Sequence, residues 1–339
     1  MKLKFSEIVR GNAVVPVLAV VASFVVGGVL IAVSNQDVLD SAANIFTDPG
    51  TFFGNLFGSI FGAYDALVRG SIINYQAADL ARMLKPITET LAYATPLTLT
   101  GLALAISFRS GLFNIGATGQ IIFGAMFAGW FGIYVDLPFW IHLPLAIIVG
   151  VAGGAFFGGL VGLLKATTGA NEVIVTIMFN YVASLLLQYL LKTPVLQAQN
   201  TVNPISPAVK DTASYPMLFG ENYRLHWGFF VMLAAVVGVW WLLNRSSIGF
   251  KFRALGHNPV AARVAGMNIG LNYVAIMAIS GALAGLAGTT QILGTEHNLT
   301  TGVAGSYGID AITVALLGRS NPWGVLASGI LFGALRAGA

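Results

Sequence analysis

The sequence predicts an all-α fold, a polytopic transmembrane helical bundle with about 8–10 membrane segments, and three observations carry that prediction. Of 339 residues, 56% are hydrophobic and only 9% are charged. A soluble domain carries roughly 25% charged residues, so this chain cannot cover a water-facing surface and must face lipid over most of its area. Apolar runs recur at lengths near the roughly 20 residues that cross a hydrocarbon core. Glycine is abundant, at 41 residues, and small residues let helix backbones approach closely inside a membrane bundle.

The first run, Ala13 to Val33, holds 21 residues without a charge and follows Lys2, Lys4 and Arg10. It is too long for the apolar stretch of a cleaved leader, and Ser34-Asn35-Gln36-Asp37 lacks the small residues of a cleavage site. An uncleaved first helix with a cytoplasmic N-terminus is therefore expected. Further spans are predicted at 88–108, 113–134, 142–164, 172–191, 227–243, 271–293, 308–318 and 323–337. The 308–318 run is short for a full crossing and reads as a broken or re-entrant helix.

That order places ten basic residues on the cytoplasmic side: Lys2, Lys4, Arg10, Arg109, Lys165, Arg245, Lys251, Arg253, Arg263 and Arg319. The six others named, Arg69, Arg82, Lys85, Lys192, Lys210 and Arg224, fall in two long outside segments, 35–87 and 193–226. Basic residues concentrate in short cytoplasmic loops of membrane proteins, so the assignment is self-consistent. Within 35–87, Phe53, Phe57, Ile60 and Phe61 recur at helical spacing and predict an interfacial helix. The 193–226 stretch, rich in Pro, Asn and Ser, predicts an ordered loop. Residues 1–339 read as one membrane domain.

Chemistry is conspicuous by exclusion. No Gly-x-x-x-x-Gly-Lys-[Ser/Thr] phosphate loop and no Gly-x-Ser-x-Gly elbow occurs, and there is no cysteine. The four histidines, at 142, 226, 257 and 297, show no metal-ligand spacing, and His142 and His226 read as interfacial side chains at membrane edges. Basic residues are too scattered for a nucleic-acid surface. No enzyme activity, metal or cofactor is expected in this chain. Glu89, Glu172 and Asp310 lie near helix ends rather than mid-helix. A proton- or sodium-coupled carrier keeps carboxylates near the membrane midplane, so energy is expected from another subunit. The alternative is a secondary carrier or facilitator for a small polar solute, working without an ATPase.

The predicted cytoplasmic stretch 244–270 carries the clearest local signal. Asn258 suits an N-cap, Pro259 the first helical position and Gly266 the C-terminal stop, framing a two-turn helix over Pro259–Ala265. Val260, Val264 and Met267 fall on one face, with Arg263 off it. Two turns are marginal in isolation, which suits a helix that docks on another protein.

Four segments carry a family resemblance. Gly111-Leu112-Phe113-Asn114-Ile115-Gly116-Ala117-Thr118-Gly119-Gln120 resembles a signature of sugar and nucleoside importer permeases, with Thr118 where that signature has Glu. Asn171-Glu172-Val173-Ile174 with Asn180-Tyr181 resembles the next motif, and Arg253 to Met267 resembles the ATPase-coupling loop. Tyr307-Gly308-Ile309-Asp310-Ala311-Ile312 through Ala315 to Pro322 resembles the C-terminal signature. The chain is thereby similar to the membrane-spanning permease subunits of bacterial ABC importers, nearest the nucleoside branch that works with a binding lipoprotein.

The resemblance implies a multi-pass protein of the bacterial cell membrane. It implies four kinds of partner: a cytoplasmic ATP-binding subunit holding ATP and Mg, a second homologous permease, an extracytoplasmic substrate-binding lipoprotein, and membrane lipid. It assigns ATPase coupling to Gly256, Asn258, Pro259, Ala261, Ala262, Arg263 and Gly266. Asn114, Gly116, Gly119, Gln120, Asn180 and Gln291 are the candidates for the translocation pathway, with helix-gluing amides as the alternative for the polar ones. Family chains continue past Leu335-Arg336-Ala337-Gly338 with one more helix, which is expected beyond this sequence. Phe113 to Ala117 aligns with Tyr307 to Ala311 at an offset of 194, which raises an inverted internal repeat as a further expectation.

Overall fold

The computed structural model describes residues 14–199, 201–220 and 222–339; Lys2, Lys4 and Arg10, and with them the predicted N-terminal anchor charges, lie outside the described residues. Thirteen α-helices are described, and six helices are long and apolar enough to cross a membrane. Where the sequence reads as one domain, the fold groups into two compact units, one up to Pro86 together with Ala337–Ala339, the other Ile87–Arg336.

The first unit contains α1 (Val14–Ser34), α2 (Gln36–Ala42) and α3 (Pro49–Ser71). The predicted interfacial helix is thus a full 23 residues. Asp48 caps it by accepting from the Thr51 N–H at 3.2 Å, and Pro49 occupies the first turn, where its missing N–H costs nothing. The Phe53, Phe57 and Phe61 rings follow one another at 6.3 Å along its exposed side. On the other side the Tyr64 hydroxyl donates to the Phe24 carbonyl of α1, and Ile60 and Tyr64 rest on Gly28.

In the second unit, α4 (Leu80–Arg109, entering from the first unit) and α6 (Phe139–Thr168) run 30 residues each, longer than the predicted 88–108 and 142–164. Pro86, Pro96 and Pro144 lie within them, a substitution that membrane helices tolerate because neighbouring groups satisfy the freed carbonyls. The centre is a three-helix junction of α5 (Ala117–Tyr134), α6 and α11 (Ile269–Thr290). Gly150, Gly154, Gly158 and Gly162 recur every fourth residue and give α6 a flat stripe. A Cβ on Gly154 would stand 2.6 Å from the Gly285 Cα of α11, and one on Gly158 would stand 3.0 Å from the Gly281 Cα. Backbone meets backbone here, the close approach that small residues four apart permit.

The described residues after α7 (Glu172–Leu190) include a strand that the composition does not reveal. Strand β1 (Ile205–Ala208) pairs antiparallel with β2 (Asn298–Thr300). Val209 N–H donates to the His297 carbonyl, and Tyr215 N–H to the Leu293 carbonyl, both at 2.8 Å. His142 and His226, predicted as interfacial side chains, are instead buried. His142 Nδ1 meets Thr212 Oγ1 at 2.8 Å, while His226 stacks on Tyr215 and accepts from Gly228 N–H. Burial holds the His226 imidazole down at about 4, with His297 and Arg224 adding to the shift.

The 244–270 stretch contains a helix the glycines conceal. After α8 (Gly228–Arg245), Ser246 caps α9 (Ser247–His257), accepting from Gly249 N–H at 2.9 Å. The short α10 (Pro259–Val264) follows, and α11 ends in one π-helical turn, Gln291–Glu296. Helix α12 (Tyr307–Leu317) is short, as predicted, and α13 (Pro322–Gly338) follows.

Candidate functional site: a turn where four segments meet

Helix α4 ends at a glycine. Gly111 takes φ 74°, its N–H donates to the Phe108 carbonyl, and Leu112 N–H reaches back to Ser107. This Schellman arrangement releases the chain from the helix and buries Leu112 beneath it. Residues 112–116 are then irregular, and a buried irregular backbone must find partners for its polar groups. Side chains supply them. Gly116 N–H donates to Asn114 Oδ1 at 2.8 Å, Ile115 N–H to Thr176 Oγ1 at 3.3 Å, and Gly119 N–H to Asn180 Oδ1 at 2.8 Å. Asn180 Nδ2 returns to the Ile115 carbonyl at 2.9 Å, and Glu172, paired with Lys165 at 2.6 Å, accepts from Phe113 N–H at 3.5 Å.

Of the predicted pathway residues, Asn114 and Asn180 are therefore the fasteners of this turn. Asn114 is fully buried, and its Nδ2 also bridges Ser280 Oγ at 3.0 Å and Gln120 Oε1 at 3.2 Å. Ser280 in turn donates to the Ala103 carbonyl of α4. Gly116 and Gly119 serve close approach rather than unusual backbone. Gly116 has an ordinary φ of −82°, and Cβ atoms on the two would meet Thr176 Cβ at 2.9 Å and Phe157 Cε1 at 2.8 Å. Gln120 differs from these: its Nε2 is buried with no hydrogen-bond partner among the described residues. Gln291 is buried too, yet it stands eleven residues beyond Ser280, about 16 Å along α11. The structure does not bring it to the turn.

Two further buried hydroxyls escape the sequence patterns, and one of them, Thr98, lies against Gly329 of α13 rather than the turn. Thr98 Oγ1 and Thr100 Oγ1 on α4 are buried without partners among the described residues. Threonine in a helix ordinarily bonds the carbonyl one turn back, as Thr95 does with Leu91. The Thr-x-Thr spacing within an apolar run was the available signal.

The other two segments arrive at the same place. Gly308, in the first turn of α12, lies against Thr118: a Cβ there would stand 2.6 Å from the Thr118 backbone nitrogen. Ala117, Leu104, Ala311 and Ala315 close around that contact. Gly256, near the end of α9, lies on the 109–111 turn, where a Cβ would stand 2.8 Å from the Ser110 carbonyl carbon and 3.0 Å from Gly111 N. All four signature segments thus converge on residues 109–120.

Helix α10 hangs from this junction. Asn258 Oδ1 accepts from Val260 and Ala261 N–H at 3.0 and 3.1 Å. Gly266, φ 81°, ends the helix in a second Schellman arrangement, with Met267 N–H on the Ala262 carbonyl. Met267 is half-buried and packs on the core, so it leaves the face predicted for it, and Ala262 turns inward at 4% exposure. Val260, at 73%, and Val264, at 87%, stand out with Pro259, Ala261 and Arg263. Ala261 is thus exposed while its neighbour Ala262, a 100° turn away, is buried.

Residues 87–339 match the family described as branched-chain amino acid transport system, permease component. The chain belongs to this family. The permease is 36% identical to a guanosine ABC transporter permease of Bacillus subtilis, over 97% of its own length and 86% of the relative's. It is 33% identical to a glucose ABC transporter permease of Haloferax volcanii, over 95% and 79%. With a nucleoside ABC transporter permease of Lactococcus lactis it shares 32% identity over 84% and 81%. No solved structure matches the permease.

Proposed function

We propose that this permease is the membrane subunit of an ATP-driven nucleoside importer, and that α10 couples it to a cytoplasmic ATPase. The observation that carries the coupling is the approach of Gly256 to the 109–111 turn. A push on α10 reaches α9, then the end of α4, then the Asn114 fastening, without a compliant side chain at the joint between α9 and α4. Two exposed valines on a helix of six residues supply the apolar anchor for a groove on the partner. ATP and Mg belong to that partner.

In this reading the N-terminus is cytoplasmic, a second permease completes the pathway, and a binding lipoprotein delivers the substrate outside. The pathway runs beside α4, α5 and α12, where Gln120 Nε2 offers a hydrogen bond to a passing solute. A sparse set of polar groups suffices, since tight binding would only slow release. The guanosine and nucleoside relatives support a nucleoside as the substrate.

Two measurements test the proposal. Cells expressing the complete system should accumulate labelled guanosine more readily than labelled glucose; the reverse order would refute the substrate class. Val264→Arg should abolish co-purification of the ATPase while the permease itself accumulates normally in the membrane. Retained ATPase and normal uptake in that variant would refute coupling through α10.

A further inference from the structure

About 24 Å back along α4 from Arg109, a cluster of charges and rings ties five segments together. Arg336 of α13 carries it on one side. Its NH1 meets Asp310 Oδ2 of α12 at 3.4 Å and Ser306 Oγ at 2.8 Å. Its guanidinium lies 4.4 Å from the centre of the Tyr307 ring and 5.5 Å from that of Tyr93 on α4. Arg224, from the segment between α7 and α8, carries the other side. It meets the same Tyr93, by its NH1 on the hydroxyl at 3.2 Å and over the ring at 5.5 Å. It also faces Glu89 at 3.8 Å and Glu296 at 4.0 Å. Tyr93 is thus the hub of both halves.

Three features mark a joint made to part rather than to hold. The charged side chains are mostly 33–44% exposed, Glu89 excepted, so water and salt screen their attraction. The apolar share is small, because only Tyr307 is well buried. And the position is strategic: Tyr307 immediately precedes Gly308, whose backbone rests on Thr118 two residues before Gln120. Separating these helix ends would free the start of α12 from α5 and open a way to the unpartnered Gln120 Nε2.

We propose that the Tyr93–Arg224–Arg336 cluster is the outer gate latch of the permease, closed in this structure and broken when substrate enters. The inference rests on the transporter reading and its orientation, which puts these helix ends outside. The attractions are individually weak, so the latch opens without a large input, yet they are several and share one hub, so they release together.

The chain has no cysteine of its own, so a single cysteine reports on the gate. Ala311, fully buried one turn below Tyr307, is replaced by cysteine in the complete transporter. Modification by a membrane-impermeant methanethiosulfonate is then timed on intact cells. Arg336→Gln and Tyr93→Leu should each speed modification roughly three- to tenfold, the range expected for losing one or two screened contacts. Arg336→Asp alone should speed it more, and adding Asp310→Arg, which restores the ion pair with signs exchanged but not the contacts of Arg336 with the Tyr93 and Tyr307 rings, should bring the rate part of the way back. Equal rates in all variants, no rescue by the exchange, or reaction only from the cytoplasmic side would each overturn the latch. Guanosine uptake by the cysteine-bearing parent is a separate readout: if it is absent while the exchange still rescues the rate, the substrate reading fails and the latch stands.

Discussion

The turn at residues 109–120 and the cluster around Tyr93 share helix α4 but are held by different physics. At the turn, Asn114 and Asn180 are spent on backbone N–H and C=O groups away from water, each bond short and each loss leaving an orphan. At the cluster, most of the charges are partly exposed, and each has water as an alternative partner. Leaving a buried polar group unmade costs about 1–3 kcal/mol, whereas an exposed ion pair contributes about 0–1. A transporter needs both kinds of joint. In the proposed reading one transmits displacement because it does not yield, and the other opens because it does.

The comparison breaks first at the glycine stripe that backs the turn. Gly154→Leu would drive a branched side chain into the Gly285 backbone, and overpacking without room to shift costs about 3 kcal/mol or more. The expected result is little folded permease in a detergent extract; normal yield and thermal stability would mean that the junction is soft. Acid should act next. His226 is held near 4 when folded, against about 6.5 unfolded, so the unfolded chain binds the extra proton between those values. Stability should be full above pH 6.5 and fall by roughly 3 kcal/mol as pH drops to 4. His226→Gln should flatten that slope, as read by thermal melts across the range.

Smaller effects sharpen the contrast. Asn114→Ala orphans the Gly116 N–H and should cost about 1–3 kcal/mol, read as a fall of a few degrees in melting temperature. Arg224→Gln, at the cluster, should move the melting temperature by less than Asn114→Ala does, because its pairs are exposed. Melting shifts of equal size would erase the distinction between the two joints.

Much of this was legible in the residues. Charge poverty and apolar periodicity predict the helical bundle, and Asn258, Pro259 and Gly266 frame α10 to within a residue. What the sequence hides is contact. Gly249 and Gly256 read as loop, yet Gly256 is needed because α9 lies directly on the 109–111 turn. Asn114 and Asn180 announce polarity in a membrane segment but not which way it points, and here it points at backbone. Ala261 and Ala262 look alike in the sequence, and only the packing of Ala262 and Met267 separates the exposed face from the core. The histidines at 142 and 226 flank helix ends, and only the folding of the 191–227 stretch over them makes them interior. Gly308, in the 307–311 segment, lies against Thr118, the residue that follows 113–117, a placement no pattern could give.

The claim on which the account turns is that α10 moves the pathway through the Gly256 contact. Gly256→Val in the complete transporter tests it most directly, because a side chain there must wedge α9 away from Ser110 and Gly111, while Val260 and Val264 remain exposed for the ATPase. The expected result is a complex that assembles and hydrolyses ATP but accumulates no nucleoside. Uptake at the parent rate from that complex would contradict it.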